Sequence, residues 1–364
     1  CAGGSAGQTG GKGRMTMNKK RIADYGIQIG CMKKGGFNKI TDVPGVRVGH
    51  ATLCDEHHHT GVTVILPCED NMFAQKLTAA SFVLNGFGKT QGLVQIDELG
   101  TLETPIALTN TLNVGLVHDA LVSVMAERCK ADHVAMHSIN PVVGECNDAQ
   151  LNDIVDRPVH EEHVRAAIES ACVDFDEGDV GAGAGTVCHG LKGGIGSASR
   201  IIEIAGKPYT IGVLVQSNHG CLEELTVNGR RLGEEIIARR NAEPIPEPND
   251  RGSIMMVTAT DLPVSDRQLR RIIKRCSVGL ARCGSYFGHG SGDVMIGFTT
   301  ANRMPAGGMH RVITQQVLTE HTLELAFRAI AEATQEAVLN SLSCADDVKA
   351  ADGRVFEGIG KYLP

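Results

Sequence analysis

One junction constrains this chain more than any other. The stretch Asn241-Ala242-Glu243-Pro244-Ile245-Pro246-Glu247-Pro248-Asn249-Asp250-Arg251 runs through Gly252-Ser253 into Ile254-Met255-Met256-Val257. Its first part is rich in proline, lacks several ladder donors and has little to bury. Its last part is an apolar run of strand type. Any fold must therefore set Ser253 at the boundary between an irregular segment and a buried strand. Gly252 leaves its own carbonyl unhindered and lets the backbone take unusual angles. A serine so placed can attack the peptide bond on its amino side and become a new N-terminus. The α-amine released, with a reference pKa near ~8, would then serve as the base for the hydroxyl. An ordinary loop-to-strand junction has the same local pattern, so partners elsewhere in the chain must decide.

Composition narrows the alternatives. With 364 residues, 42% of them hydrophobic and 21% charged, the chain can bury a sizeable core as one large domain or two smaller ones. A formal charge of -7 and the lack of a basic run argue against nucleic-acid binding. Aromatic residues are only 4%, with no tryptophan, so stacking platforms are scarce. Residues 1–14 are Gly/Ser/Gln-rich and read as a tag or disordered tail, with the native start expected at Met15 or Met17. No apolar segment follows Asn18-Lys19-Lys20-Arg21, and no run reaches membrane-spanning length. The expectation is a cytoplasmic protein without signal peptide or membrane segment. The 12 cysteines are scattered singly, with no Cys-x-x-Cys pair, which predicts reduced thiols and neither a disulfide nor a zinc cage. No metal and no organic cofactor are expected.

Short β-type runs alternate with helical patterns. Strands are predicted over 61–66, 80–84, 133–136, 209–216, 254–259 and 294–299, and helices over 114–128, 161–172, 230–240 and 320–342. Ser265 and Gln268 form a capping box for a further helix with apolar positions from Leu269 to Leu280. Its other face carries Arg267, Arg270, Arg271, Lys274 and Arg275, read as a solvated face or an oligomer contact. The pattern implies a layered α/β domain. The proline-rich segment interrupts one fold rather than joining two.

Besides Gly252-Ser253, three places carry candidate chemistry. In Gly288-His289-Gly290-Ser291-Gly292-Asp293, Ser291 and Asp293 stand two apart on one side of an extended chain, an arrangement that relays and orients protons, although a polar turn uses the same residues. In Gln216-Ser217-Asn218-His219-Gly220, the Asn218 amide at a strand end is a potential oxyanion donor, or simply a turn asparagine. The glycine-rich stretches 181–185 and 192–196 lack the preceding strand and the closing Lys-Ser/Thr of a phosphate loop, so they read as close backbone packing or a substrate-lining loop. His57-His58-His59 reads as a solvated loop, and no histidine pair with a carboxylate has metalloprotease spacing.

Several motifs in order resemble the L-aminopeptidase D-amidase/D-esterase family, which includes β-peptidyl aminopeptidases. They are Thr41-Asp42-Val43-Pro44-Gly45-Val46-Arg47-Val48-Gly49-His50, Thr109-Asn110-Thr111, Val142-Val143-Gly144-Glu145, Leu151-Asn152-Asp153, 192–200, 213–220, and the block from Gly252-Ser253 to Thr300-Ala301-Asn302. The resemblance spans nearly all of 38–364. It implies an αββα sandwich, a single domain formed from two autoproteolytic fragments: a larger subunit, 15–252, and a smaller one, 253–364. It implies cleavage between Gly252 and Ser253, with Ser253 as nucleophile, Ser291 and Asp293 as the supporting serine and acid, and Asn218 as oxyanion donor. Asn147 stands where the family commonly has a tyrosine near the oxyanion. The implied activity is that of an aminopeptidase or amidase acting through an acyl-enzyme on short peptides, amides or esters, in a homo-oligomer of processed precursors. An acyltransferase of ornithine-acetyltransferase-like architecture, an amidase for synthetic or cyclic amides, and an uncleaved non-enzymatic homologue stay open as alternatives.

Overall fold

Strands buried on both faces build two main sheets packed on each other. The computed structural model describes residues 19–240, 252–307 and 312–364; the proline-rich segment and residues 1–14 lie outside the described residues. In chain order the strands are β1 (Arg47–Cys54), β2 (His59–Leu66), β3 (Gln75–Gly86), β4 (Thr101–Leu102), β5 (Ile106–Asn110), β6 (Val142–Cys146), β7 (Val187–Cys188), β8 (Leu191–Lys192), β9 (Gly194–Ile204), β10 (Lys207–Asn218), β11 (Gly252–Thr260) and β12 (Ser291–Pro305). The helices are α1 (Leu93–Leu99), α2 (Val114–Ala131), α3 (Glu161–Glu169), α4 (Leu232–Arg240), α5 (Asp266–Ile273), α6 (Cys276–Ala281) and α7 (Leu323–Ser343). One sheet has the order β1-β2-β5-β6, the other β4-β3-β12-β11-β10-β9.

The facing surfaces of the two sheets share one core: Val48, Ile65, Leu108 and Cys146 from the first meet Leu214, Met255, Val257, Ile296 and Phe298 from the second. On the outer face of the larger sheet, Val213, Val215, Ile254, Met256 and Met295 pack against Leu269, Ile272, Leu280, Ala333 and Val338 of α5, α6 and α7. On the outer face of the smaller sheet, Val62, Val64, Ala107 and Val143 pack against Val117, Leu121, Val164 and Ala167 of α2 and α3. Successive residues of one strand thus serve two different cores, which gives a four-layer αββα sandwich.

Two expectations are corrected. Residues 133–136 form no strand. Having left α2, the chain puts His133 in the left-handed region at φ 55, and Val134 N donates to Cys129 O at 2.8 Å. Those residues close the helix end and have no neighbouring strand to join. The basic helix is also not continuous but splits into α5 and α6. Its charged face is largely answered within the chain, since Arg267 and Arg271 both pair with Glu320 and the Arg275 guanidinium lies 3.8 Å from the Phe327 ring centroid.

A buried ion network ties the start of the described chain to this frame. Arg200 on β9 is fully buried and donates to Glu336 at 2.7 Å, Glu332 at 3.2 Å and Ile29 O at 2.8 Å. Glu332 also accepts from Cys31 N and Met32 N, at 3.1 and 3.0 Å. Arg200→Met strands two carboxylates with only Lys34 and Arg328 to compensate them. The expected loss is roughly 3–5 kcal/mol of stability, read as a lower urea midpoint at unchanged slope.

Candidate active site

β11 lies between β10, antiparallel to it, and β12, parallel to it. Met255, Val257 and Ala259 face the core between the sheets. Ser253 continues that stripe by alternation, at the end where the sheets part around a cavity of about 710 Å³. It is 5% exposed and lines that cavity with Gly252, Asn218, Asn147 and Glu145. Asn218 pairs with Ser253 from one side and Gly292 from the other. Two glycines make the approach possible. At Gly252, with φ +124, a Cβ would stand 2.0 Å from Asn218 O; at Gly292 it would stand 2.4 Å from Phe87 O and 3.5 Å from the Ser253 Cβ.

Ser291 and Asp293 are not in a turn but open β12. The Ser291 hydroxyl donates to Asp293 Oδ1 at 2.8 Å, and both side chains are fully buried. The pairing of β12 with β3 slips between Asp293 and Val294, a bulge directly beside the site. By alternation Ser291 and Asp293 share the face of Met295, whereas the Ser253 side chain shares the face of Met255. The Ser291–Asp293 pair thus lies on the strand directly beside Ser253, at the bulge.

Asn218 lies on the same face of β10 as Leu214, toward the cavity. Its Oδ1 accepts from Val187 N at 2.9 Å, which leaves the amide nitrogen as the end able to donate to a ligand. Asn147 is exposed on the cavity wall, with Oδ1 accepting from Ala149 N at 3.0 Å. The six residues expected from the sequence thus converge: four line the cavity and two lie on the strand beside Ser253.

In the sequence Glu145 stands only within the motif Val142-Val143-Gly144-Glu145 and not among the expected site residues. It is the penultimate residue of β6, is 3% exposed, and lines the cavity. Its Oε1 accepts from Lys89 N at 2.9 Å and its Oε2 from the Thr111 hydroxyl. The signal was a carboxylate near the end of an otherwise apolar strand, after Val142-Val143-Gly144. Next to it, the Cys146 thiol reaches across the sheets to Ser253 O and Gln216 O, both at 3.5 Å. Burial holds this thiol well above its ordinary range, so it clasps the two sheets as a neutral donor.

Comparison with known proteins gives a consistent result. The model for peptidase family S58 matches residues 38–356. The β-peptidyl aminopeptidase BapA of Sphingosinicella xenopeptidilytica is 35% identical over 348 residues, 89% of this chain and 85% of that relative. Among solved structures, the PH0078 protein of Pyrococcus horikoshii OT3 aligns with a TM-score of 0.87 at 46% identity, covering 94% of this chain and 96% of its own. The L-aminopeptidase D-Ala-esterase/amidase of Ochrobactrum anthropi, a serine aminopeptidase with a variant of the Ntn hydrolase fold, aligns at 0.86 and 33% identity with the same coverage.

Behind Asn218 lies a buried cation. Lys192 Nζ donates to Gly183 O at 2.9 Å, Thr186 O at 3.0 Å and Gly193 O at 2.7 Å, so three ammonium hydrogens meet three carbonyls. Burial pushes the ammonium down to about 7, against the pull of Asp179 and Asp148. The glycine-rich stretch thus turns carbonyls inward, the reverse of a phosphate cradle, which offers N–H groups. Holding Thr186 O also fixes the next peptide, whose Val187 N orients the Asn218 amide. Lys192→Met leaves three buried carbonyls without their donor and is expected to cost roughly 3 kcal/mol or more in urea unfolding. A loss below about 1 kcal/mol, the net worth of a single hydrogen bond, would show the cluster to be dispensable.

Proposed function

The chain belongs to peptidase family S58 and is an aminopeptidase of the N-terminal-nucleophile hydrolase type; we propose that Ser253 is its nucleophile, exposed when the chain cuts its own Gly252–Ser253 bond. The observation that carries this reading is the place of Ser253: the last position of the inter-sheet stripe, opening on the cavity, with Gly252 pressed against Asn218 O in the left-handed region. In the precursor, Ser253 Oγ adds to the Gly252 carbonyl carbon. The C–N bond breaks, the nitrogen keeps the hydroxyl proton, and water hydrolyses the resulting ester. This leaves subunits 15–252 and 253–364.

In the processed enzyme the new α-amine takes the Oγ proton directly. Oγ adds to the substrate carbonyl, and the Asn218 amide nitrogen donates to the oxyanion, with Asn147 as a second donor from the exposed wall. The ammonium returns its proton to the leaving amine, and water releases the acyl group by the same route. A relay through the Ser291 hydroxyl, on the neighbouring strand, is the alternative route for this proton. The Ser291–Asp293 pair orients the amine and favours its charged form between transfers.

Glu145 supplies the preference for a free amino end. A buried carboxylate at the cavity wall, fixed by Lys89 N and Thr111, is a counter-charge for a substrate ammonium. The substrates are short peptides, amino-acid amides and esters with an unblocked N-terminus. We include β-aminoacyl compounds, since relatives named for β-peptides align over most of the chain. Assembly of several processed copies is part of the same reading, supported by the exposed Val94, Leu99, Val312 and Val317. No helix among the described residues is long and apolar enough to cross a membrane.

Intact-mass analysis of Ser253→Ala is expected to show only uncut chain, with no amine released from any member of a panel of L-α, D-α and β-aminoacyl anilides. Cutting or undiminished turnover would overturn the assignment. Glu145→Gln is expected to raise KM for free-amine substrates by about 10- to 100-fold, the scale of a lost charged hydrogen bond, at nearly unchanged kcat. Asp293→Asn removes a negative charge that favours the ammonium. The ascending limb of its kcat/KM–pH profile should therefore move to lower pH while kcat falls; a limb that stays put argues against coupling between Asp293 and the amine.

A further inference from the structure

On the far side of Asn218 from the cavity lies a cluster that the proposed reaction does not use. Cys188, His189 and His219 are buried, and each offers one ligand-type atom within 4.8 Å of the others. Cys188 ends β7, the strand whose Val187 N holds Asn218, and His219 directly follows Asn218. The two segments are joined by His189 N donating to His219 O at 2.7 Å. The imidazoles meet edge to face, with centroids 5.2 Å apart.

Three features make this more than a packing accident. First, His189 Nδ1 lies 2.9 Å from Cys221 O. A carbonyl only accepts, so Nδ1 carries the hydrogen and the lone pair is on Nε2, the tautomer and second-shell carbonyl typical of a metal-bound histidine. Second, His219 is 1% exposed, and among the described residues its ring makes a single polar contact: Nδ1 to Cys188 Sγ at 3.8 Å. Its Nε2 has no hydrogen-bond partner there. A buried imidazole that answers only to a thiol lacks the partners such a group ordinarily finds. Third, donors on tetrahedral zinc, with bonds of ~2.0–2.3 Å, stand roughly 3.3–3.8 Å apart, and the Cys188–His219 pair already has that spacing. Gly190 and Gly220, the residues after His189 and His219, form part of the cavity wall.

We propose that Cys188, His189 and His219 form a binding site for a thiophilic divalent cation of the zinc class, tying the strand that orients Asn218 to the strand that carries it. Binding is an ionic exchange without redox change: the Cys188 S–H bond breaks, its proton leaves to solvent, and a metal–sulfur bond forms beside two metal–nitrogen bonds. Two imidazoles and a thiolate leave a fourth tetrahedral position for water or another ligand. The donor set disfavours magnesium and calcium, which take oxygen ligands. The site stands apart from the Ser253 chemistry and does not rest on it.

The test uses the full chain incubated with excess Zn²⁺ and then exhaustively dialysed. A single zinc per chain is expected by elemental analysis. With Co²⁺ in its place, a thiolate-to-cobalt charge-transfer band in the near ultraviolet is expected. Cys188→Ser should abolish the band, and His219→Phe, which keeps the ring shape, should reduce retained zinc to well below one per chain. Ser253→Ala should retain zinc and band unchanged, so failure of the nucleophile assignment leaves this result standing. Absence of a thiolate band in the unmutated chain, or full retention by both ligand variants, overturns the site; the first of these needs no variant to fold.

Discussion

The structure depends on the pairing of β11 with both of its neighbours. This strand is joined antiparallel to β10 and parallel to β12, and the two ladders meet at its first residues. Asn218 and Gly292 lie 74 residues apart in the chain (292 − 218), yet backbone hydrogen bonding alone sets them on either side of Ser253. The absence of side chains at 252 and 292 lets the strands close to that distance. Ladder register is a stronger positional constraint than side-chain packing, because slipping by one residue would turn every side chain of the strand to the other core.

The polar groups around the cavity are held in the same way. Asn218 is oriented by a backbone N–H, Glu145 by a backbone N–H and a hydroxyl, and Lys192 by three backbone carbonyls. None of these contacts is an ion pair. A salt bridge would satisfy Glu145 equally well but would neutralise its charge. Backbone partners satisfy burial while leaving the charge unspent and the direction fixed, which is what preorganisation demands. The fully buried guanidinium of Arg200 pairs with Glu332 and Glu336 in the helix–sheet layer instead.

Much of this was legible in the chain. The stripe Ser253, Met255, Val257 and the loop before it gave a strand start, and Asn218, Ser291 and Asp293 were visible as polar residues at the ends of apolar runs. What stayed hidden is non-local. Glu145 is a carboxylate after two valines and a glycine, and only the second sheet folding over the first makes it a cavity wall. Cys188, His189 and His219 have no recognisable spacing because 30 residues separate the last two, and a β-hairpin brings them together. The residues at 133–136 show the converse error. Their local pattern fits a strand, but a strand exists only where a neighbour completes its ladder.

The sheet order also bears on what a cut at Gly252 would do. β11 and β12, from the chain after that bond, occupy the middle of the larger sheet, flanked by β3 on one side and β10 on the other from the chain before it. α7, also from the later part, covers β9 and β10. The smaller sheet comes wholly from the earlier piece, but neither piece can complete the larger one: removing β11 and β12 would leave β3 and β10 with long, apolar, unpaired edges. The two ladders would therefore keep the fragments together after one peptide bond is lost. Cleavage at that position would give Ser253 a free α-amine while both ladders stayed paired. A fold wired in this way can carry a cut at the start of one of its two central strands without coming apart.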